Sequence, residues 1–331
     1  MGIKNHLPTR IAIIGAGVIA REHLLALRDL ENILIVGISA PTNARSKPLA
    51  EEFEIEIVCT DSKTLWDKTQ ADAVVVAVPI LQTHAVCTEV FTHKWTSLVE
   101  KPIGCNLAEA KDLSSIASTH SHQSFVALNR RHYGSTMQLK KILDTNSSKR
   151  IIRVNDQEDQ VQGIADGHPS KVIQNWHFAN SIHLIDYFFQ FGRGNISRVT
   201  REITYQDAWL SHVGAEIEFS SGDKGFYQAI WNAPARWSVQ VELDSLVAEL
   251  KPLEQARLTH NGKLTEELPI DSLDKKFKPG FKRQAELFID QIRGGPTQKK
   301  LPTLSDSLDT MRLIDMIYGS PEISQRTINI Q

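Results

Sequence analysis

Residues 10–20 read RIAIIGAGVIA, and this stretch decides how the chain is read. Its first five residues are too uniformly apolar to have one wet face, which marks a buried strand. Gly15 and Gly17 follow at once, in a tight turn that opens a helix. A turn without side chains lets the backbone approach a pyrophosphate, whose charge meets free amides and the positive end of the helix dipole. Ala20 takes the third, usually glycine, position, where a methyl group is tolerated. The next ten residues, REHLLALRDL, place Leu24, Leu27 and Leu30 at helical spacing, giving one face to bury against a sheet. Strand, glycine turn and amphipathic helix together predict a dinucleotide site around Gly15, Gly17, Val18, Ile19 and Ala20.

Working outward, residues 33–38 (ILIVGI), 73–78 (AVVVAV), 97–100 (SLVE) and 124–128 continue the buried strands, with helical patterns between them. This is the rhythm of βαβ units and a parallel sheet. After about residue 150 the period changes to two, as in Val213, Ala215, Ile217, Phe219 and again Trp237, Val239, Val241, Leu243. SSGDKG at 220–225 and Asn261-Gly262 read as hairpin connections. Helices are expected near 284–292 and 305–318. The fold class is α/β, with an N-terminal Rossmann domain over 1–130. A C-terminal α+β domain over 131–331 carries a large open, mostly antiparallel sheet, its last helix packing back on the first domain. An open sheet with alternating faces leaves one face for another subunit, so a homodimer or homotetramer is expected.

Composition excludes other classes. A formal net charge of -2 spread over 331 residues provides no field to gather nucleic acid or an anionic membrane. The longest apolar run, around ADAVVVAVPIL at 71–81, is far short of the roughly 20 residues that span a bilayer. Three scattered cysteines form no disulfide framework or CxxC knuckle, and the N-terminus has no apolar signal region, so a cytoplasmic protein is expected. His120 and His122 have no third ligand at useful spacing, and no metal site is predicted.

An acid about 20 residues beyond the glycine turn normally holds the adenosine ribose. GISAPTNAR at 37–45 offers Ser39, Thr42 and Arg45 instead, two hydroxyls and a cation suited to a 2′-phosphate. NADP is therefore preferred, with NAD possible.

VAVPILQTH at 76–84 and LVEKPIGCNLAEA at 98–110 each end a strand, and the chain resembles the glucose-fructose oxidoreductase, inositol dehydrogenase and MocA (Gfo/Idh/MocA) family. NRRHYGST (129–136), NSIHLIDYF (180–188), PLE (252–254) and KPGFKRQAELFI (278–289) resemble later family blocks in the right order. The resemblance implies Lys101 as the central catalytic residue, with Pro79, His84 and Glu100 beside the cofactor. Independently of family, Lys101 follows the carboxyl end of a strand, where open α/β sheets bind ligands, and Pro102 disfavours helical geometry at Lys101. A surface cation is the alternative reading of Lys101. Relatives supply a second group in an Asp-x-x-x-His pattern; His183 matches the histidine, but Ala179 stands at the acid. Asn180 beside it can orient a hydroxyl but not take its proton as a carboxylate does. Lys101 with His183 is thus the expected acid/base pair, a packed core histidine being the alternative for His183. Arg131, Tyr133, His177, Asn180 and Lys278 are the substrate candidates.

What the resemblance implies is hydride transfer between a nicotinamide and a carbinol or carbonyl carbon of a small-molecule carbohydrate or nucleotide sugar. Ala179 keeps a second class open: a catalytically impaired NAD(P)-binding regulatory or sensor protein.

Overall fold

The computed structural model describes residues 7–120, 122–206, 209–261, 263–295 and 300–319. They form two compact units, the residues up to Asn129 with Lys275–Leu308 and Arg130–Asp274 with the residues from Asp309 onward.

The first unit is built on one parallel sheet of six strands: β1 (Thr9–Ile14), β2 (Ile33–Ser39), β3 (Val58–Cys59), β4 (Ala73–Val76), β5 (Thr96–Glu100) and β6 (Ser124–Ala127). Their order is β3-β2-β1-β4-β5-β6, a doubly wound Rossmann sheet that reverses at β1. Both faces are covered, which explains the unbroken apolar strands. On one face Ile11, Ile13 and Val75 pack with Leu24 and Leu27 of helix α1 (Val18–Arg28), and with Phe281, Phe288 and Ile289 of the later helix Phe281–Ile292. β3 escapes the sequence reading because two residues carry no periodic signal.

The second unit holds an eight-stranded sheet: β7 (Ile151–Glu158), β8 (Ile196–Gln206), β9 (Trp209–Phe219), β10 (Lys224–Trp231), β11 (Ser238–Glu242), β12 (Leu246–Leu250), β13 (Ala256–His260) and β14 (Glu266–Glu267). The order is β14-β13-β12-β11-β7-β10-β9-β8. Only β7 and β10 run parallel; every other neighbouring pair is antiparallel. The expected alternation holds in β9, where Val213, Ala215, Ile217 and Phe219 are buried. The connection after β13 is longer than the tight turn expected from Asn261-Gly262: β14 pairs only through Glu266 and Glu267, and Gly262 lies outside the described residues. Helical turns from Ser170 to Phe191 pack on the buried face of β7 and include one wide π turn, His177–Ser181. Among the described residues no helix is long and apolar enough to cross a membrane.

Candidate active site

The carboxyl edge of the parallel sheet gathers most of the residues expected to hold a dinucleotide. Gly15 follows β1 at φ +116°, and a Cβ there would overlap the carbonyl of Ala77. Only glycine fits that approach. At Gly17 a Cβ would meet nothing within 4 Å, so the space above the turn is open. α1 starts there with no side-chain cap and no acid in its first turn, leaving its leading amides to an anion. Val18 is 74% exposed over this edge, Ile19 is half-buried, and Ala20 is buried against the sheet. A pyrophosphate therefore fits this cradle.

Gly15→Ala would drive a methyl group into the Ala77 carbonyl at a backbone angle that L side chains rarely adopt. It is expected to cost roughly 2–4 kcal/mol and to weaken dinucleotide binding at least tenfold. Thermal melting and a fluorescence titration with NADH measure both; an unaltered titration would disprove the cradle.

At the end of β2, Ser39 is buried and its carbonyl accepts from the Gly15 amide at 2.7 Å. Thr42 is the exposed N-cap residue of α2 (Asn43–Glu52), and Arg45 is exposed one turn into it. The Arg45 guanidinium has no hydrogen bond or ion pair among the described residues. Pro79 is exposed at the start of the helix Ile80–Val90. His84 lies inside that helix, bonded through Nε2 to Asp112 at 2.7 Å. Glu100 ends β5 and receives His23 Nε2 at 2.7 Å, so α1 is tied to β5 through a 2% exposed histidine that the sequence reading missed. Lys101, half-buried, follows directly, with a cis bond to Pro102. Lys278 is exposed just before the helix Phe281–Ile292.

In the second unit the substrate candidates part company. Arg131 forks onto Asp186 at 2.8 and 2.6 Å, and Thr310 donates to the same carboxylate at 2.9 Å. Tyr133 is buried, and burial pushes its hydroxyl up from the usual range. His177 stacks on Tyr318 at 4.8 Å, its Nε2 sealed without a partner, and burial pushes the ring down to about 3. His183 is half-buried, 6.4 Å from the ring of Trp237.

Asn180 lines a cleft of about 700 Å³ within this unit, together with Arg130, Glu158, Trp176, Trp237 and Lys251. Arg130 sits over the Trp237 ring at 4.4 Å. Aromatic faces beside cations and amides suit a hydroxylated ligand with apolar C–H surfaces. Glu158 is the residue the sequence reading missed here. The signal was present: Ile152 and Val154 set an alternation that continues to Asp156 and Glu158 on the same buried face.

Residues 9–128 match the family described as oxidoreductase family, NAD-binding Rossmann fold (Gfo/Idh/MocA). An uncharacterized oxidoreductase, YrbE, of Bacillus subtilis is 26% identical over 132 residues, spanning 40% of this chain and 39% of that protein. A dehydrogenase from Chromobacterium violaceum superposes with a TM-score of 0.83 at 21% identity, covering 97% of both chains. A levoglucosan dehydrogenase in complex with NADH and L-sorbose superposes with a TM-score of 0.80 at 15% identity, covering 96% of this chain and 98% of that one.

Proposed function

From the match of residues 9–128 to the Gfo/Idh/MocA oxidoreductase family we propose a dehydrogenase or reductase acting on a carbinol or carbonyl carbon of a sugar or sugar nucleotide. The observation that carries this reading is Lys101, placed directly after β5 at the same sheet edge as the Gly15–Gly17 cradle. When bound, the nicotinamide supplies or takes the hydride. The chain supplies the rest. Gly15, Gly17 and the leading amides of α1 hold the pyrophosphate, and His23 fixes the Glu100 carboxylate next to Lys101. Nζ of Lys101 takes the hydroxyl proton as the alcohol is oxidised and returns it in the reverse direction.

A sugar-sized ligand is favoured by the cleft of Asn180, Trp176 and Trp237, and by the levoglucosan dehydrogenase that shares the fold. NADP is the preferred dinucleotide in this reading, because Thr42 and Arg45 stand where an acid would hold a ribose hydroxyl. Arg45→Ala is expected to weaken NADPH binding about tenfold and NADH binding less than twofold, read by fluorescence titration of each. Equal losses would show that Arg45 does not read a 2′-phosphate.

Ala179, at the acid position of the family pattern, favours a second reading as a dinucleotide-binding sensor. A panel of polyols and nucleotide sugars with NAD or NADP separates the two. Turnover identifies the enzyme; binding of the dinucleotide with no turnover across the panel identifies the sensor.

A further inference from the structure

Along β7, Asp156 and Glu158 extend an aliphatic stripe and are each 1% exposed. Burying adjacent carboxyl groups is costly unless they are bonded to partners and to each other. Here every oxygen has work. Asp156 accepts from the Tyr227 hydroxyl at 2.6 Å and from the Gln157 amide at 2.8 Å, and the Glu158 carboxyl lies beside it. The Tyr227 hydroxyl meets that of Tyr318 at 2.7 Å. Glu158 Oε1 meets Ser181 Oγ at 3.2 Å, while Oε2 accepts from Trp176 Nε1 at 2.6 Å and from Asn180 Nδ2 at 2.8 Å.

The direction of these bonds follows from chemistry. An indole N–H only donates, so Oε2 accepts from it, and with the Asn180 amide as second donor both lone pairs of Oε2 are occupied. A proton on this carboxyl group therefore belongs on Oε1. Burial and the neighbouring Asp156 charge hold Glu158 well above the usual carboxylate range, which agrees with a neutral acid whose Oε2 is its carbonyl oxygen. The Asn180 amide then has one orientation, NH₂ toward Oε2, and its Oδ1 has no partner among the described residues.

We propose that Glu158, braced by Asp156, is a positioning residue that holds Asn180 with Oδ1 turned into the cleft as the acceptor for a ligand hydroxyl, beside Ala179 where no carboxylate stands. Only the choice of hydroxylated ligands rests on the carbohydrate reading above. A glutamine at 158 can copy the neutral acid, its carbonyl facing Trp176 and Asn180 and its amide facing Asp156. An ionised carboxylate has no such mimic.

The test uses the full chain and the ¹H–¹⁵N signals of the Trp176 indole and the Asn180 amide, assigned with Trp176→Phe and Asn180→Leu. The probes are L-sorbose, myo-inositol and UDP-N-acetylglucosamine in turn. At least one probe should shift the Asn180 amide, in the wild type and equally in Glu158→Gln. Glu158→Ala should displace both signals and abolish the response. Asn180→Leu should raise the dissociation constant of that probe about tenfold with the Trp176 signal unmoved. The proposal is overturned if Glu158→Gln behaves like Glu158→Ala, if Asn180→Leu binds as the wild type does, or if no probe moves the Asn180 amide. Turnover on the same samples is scored separately: shifts without hydride transfer remove the dehydrogenase reading and leave the positioning role, whereas turnover without shifts does the reverse.

Discussion

Lys101→Met is expected to lower kcat/KM by about 10²–10⁴-fold while changing the dissociation constant of NADPH or NADH less than twofold. Methionine keeps the length and apolar stem of lysine but can neither give nor take a proton, and general acid–base catalysis contributes a factor of that size. The cradle is made of Gly15, Gly17 and the first turn of α1, on a different strand end, so the dinucleotide keeps its anchor. Steady-state kinetics on the substrate found by panel screening, with a fluorescence titration of the dinucleotide, reads both quantities. Activity within tenfold of the wild type would leave the mechanism without its proton-transfer group.

The second large effect concerns stability in acid. In the folded chain the His177 ring is held neutral down to about 3, against an ordinary value of about 6.5. Below 6.5 the unfolded chain takes a proton that the folded chain refuses, so stability is full above that pH and is lost as pH falls toward 3. At pH 4 the loss from this residue alone amounts to about 3 kcal/mol. His177→Phe keeps a ring against Tyr318 and removes the titration. Urea unfolding of both proteins from pH 7.5 to 4 should give curves that diverge by roughly that amount. Parallel curves would mean that the ring protonates freely in the fold. Asp156 and Glu158 act with the opposite sign: burial raises both, so the folded chain keeps a proton that the unfolded chain has lost, and their contribution falls as pH rises above about 4. A variant free of His177 should therefore show the slope of the acid pair uncovered.

How much of this was legible beforehand varied with the kind of signal. The cradle was fully legible, because Gly15 and Gly17 are required by a local backbone path and lie next to the strand and helix that they join. The place of Lys101 directly after a strand was legible too. Arg131, Tyr133 and His177 show the limit of residue type as a guide. Each has the chemistry of a substrate contact, yet Arg131 is bound to Asp186, Tyr133 is buried, and the Nε2 of His177 is sealed off. Their partners lie far along the chain, where spacing carries no information. His23 is a similar case, 77 residues from Glu100 and placed only by the packing of α1 on the sheet. Glu158 was missed for a different reason. Its alternation with Ile152 and Val154 was readable, but two acids at the end of a buried stripe look like a strand leaving the core.

By itself the sequence determined the periods. Unbroken apolar strands with a glycine turn made a doubly covered parallel sheet, and two-residue alternation made the second sheet, since side-chain direction follows from local backbone geometry. Only tertiary structure decided which polar groups remain available to a ligand. That outcome depends on which distant partners satisfy or seal each group: Asp186 for Arg131, Tyr318 for His177, and Asp156 for Glu158, which in turn leaves one oxygen of Asn180 unclaimed.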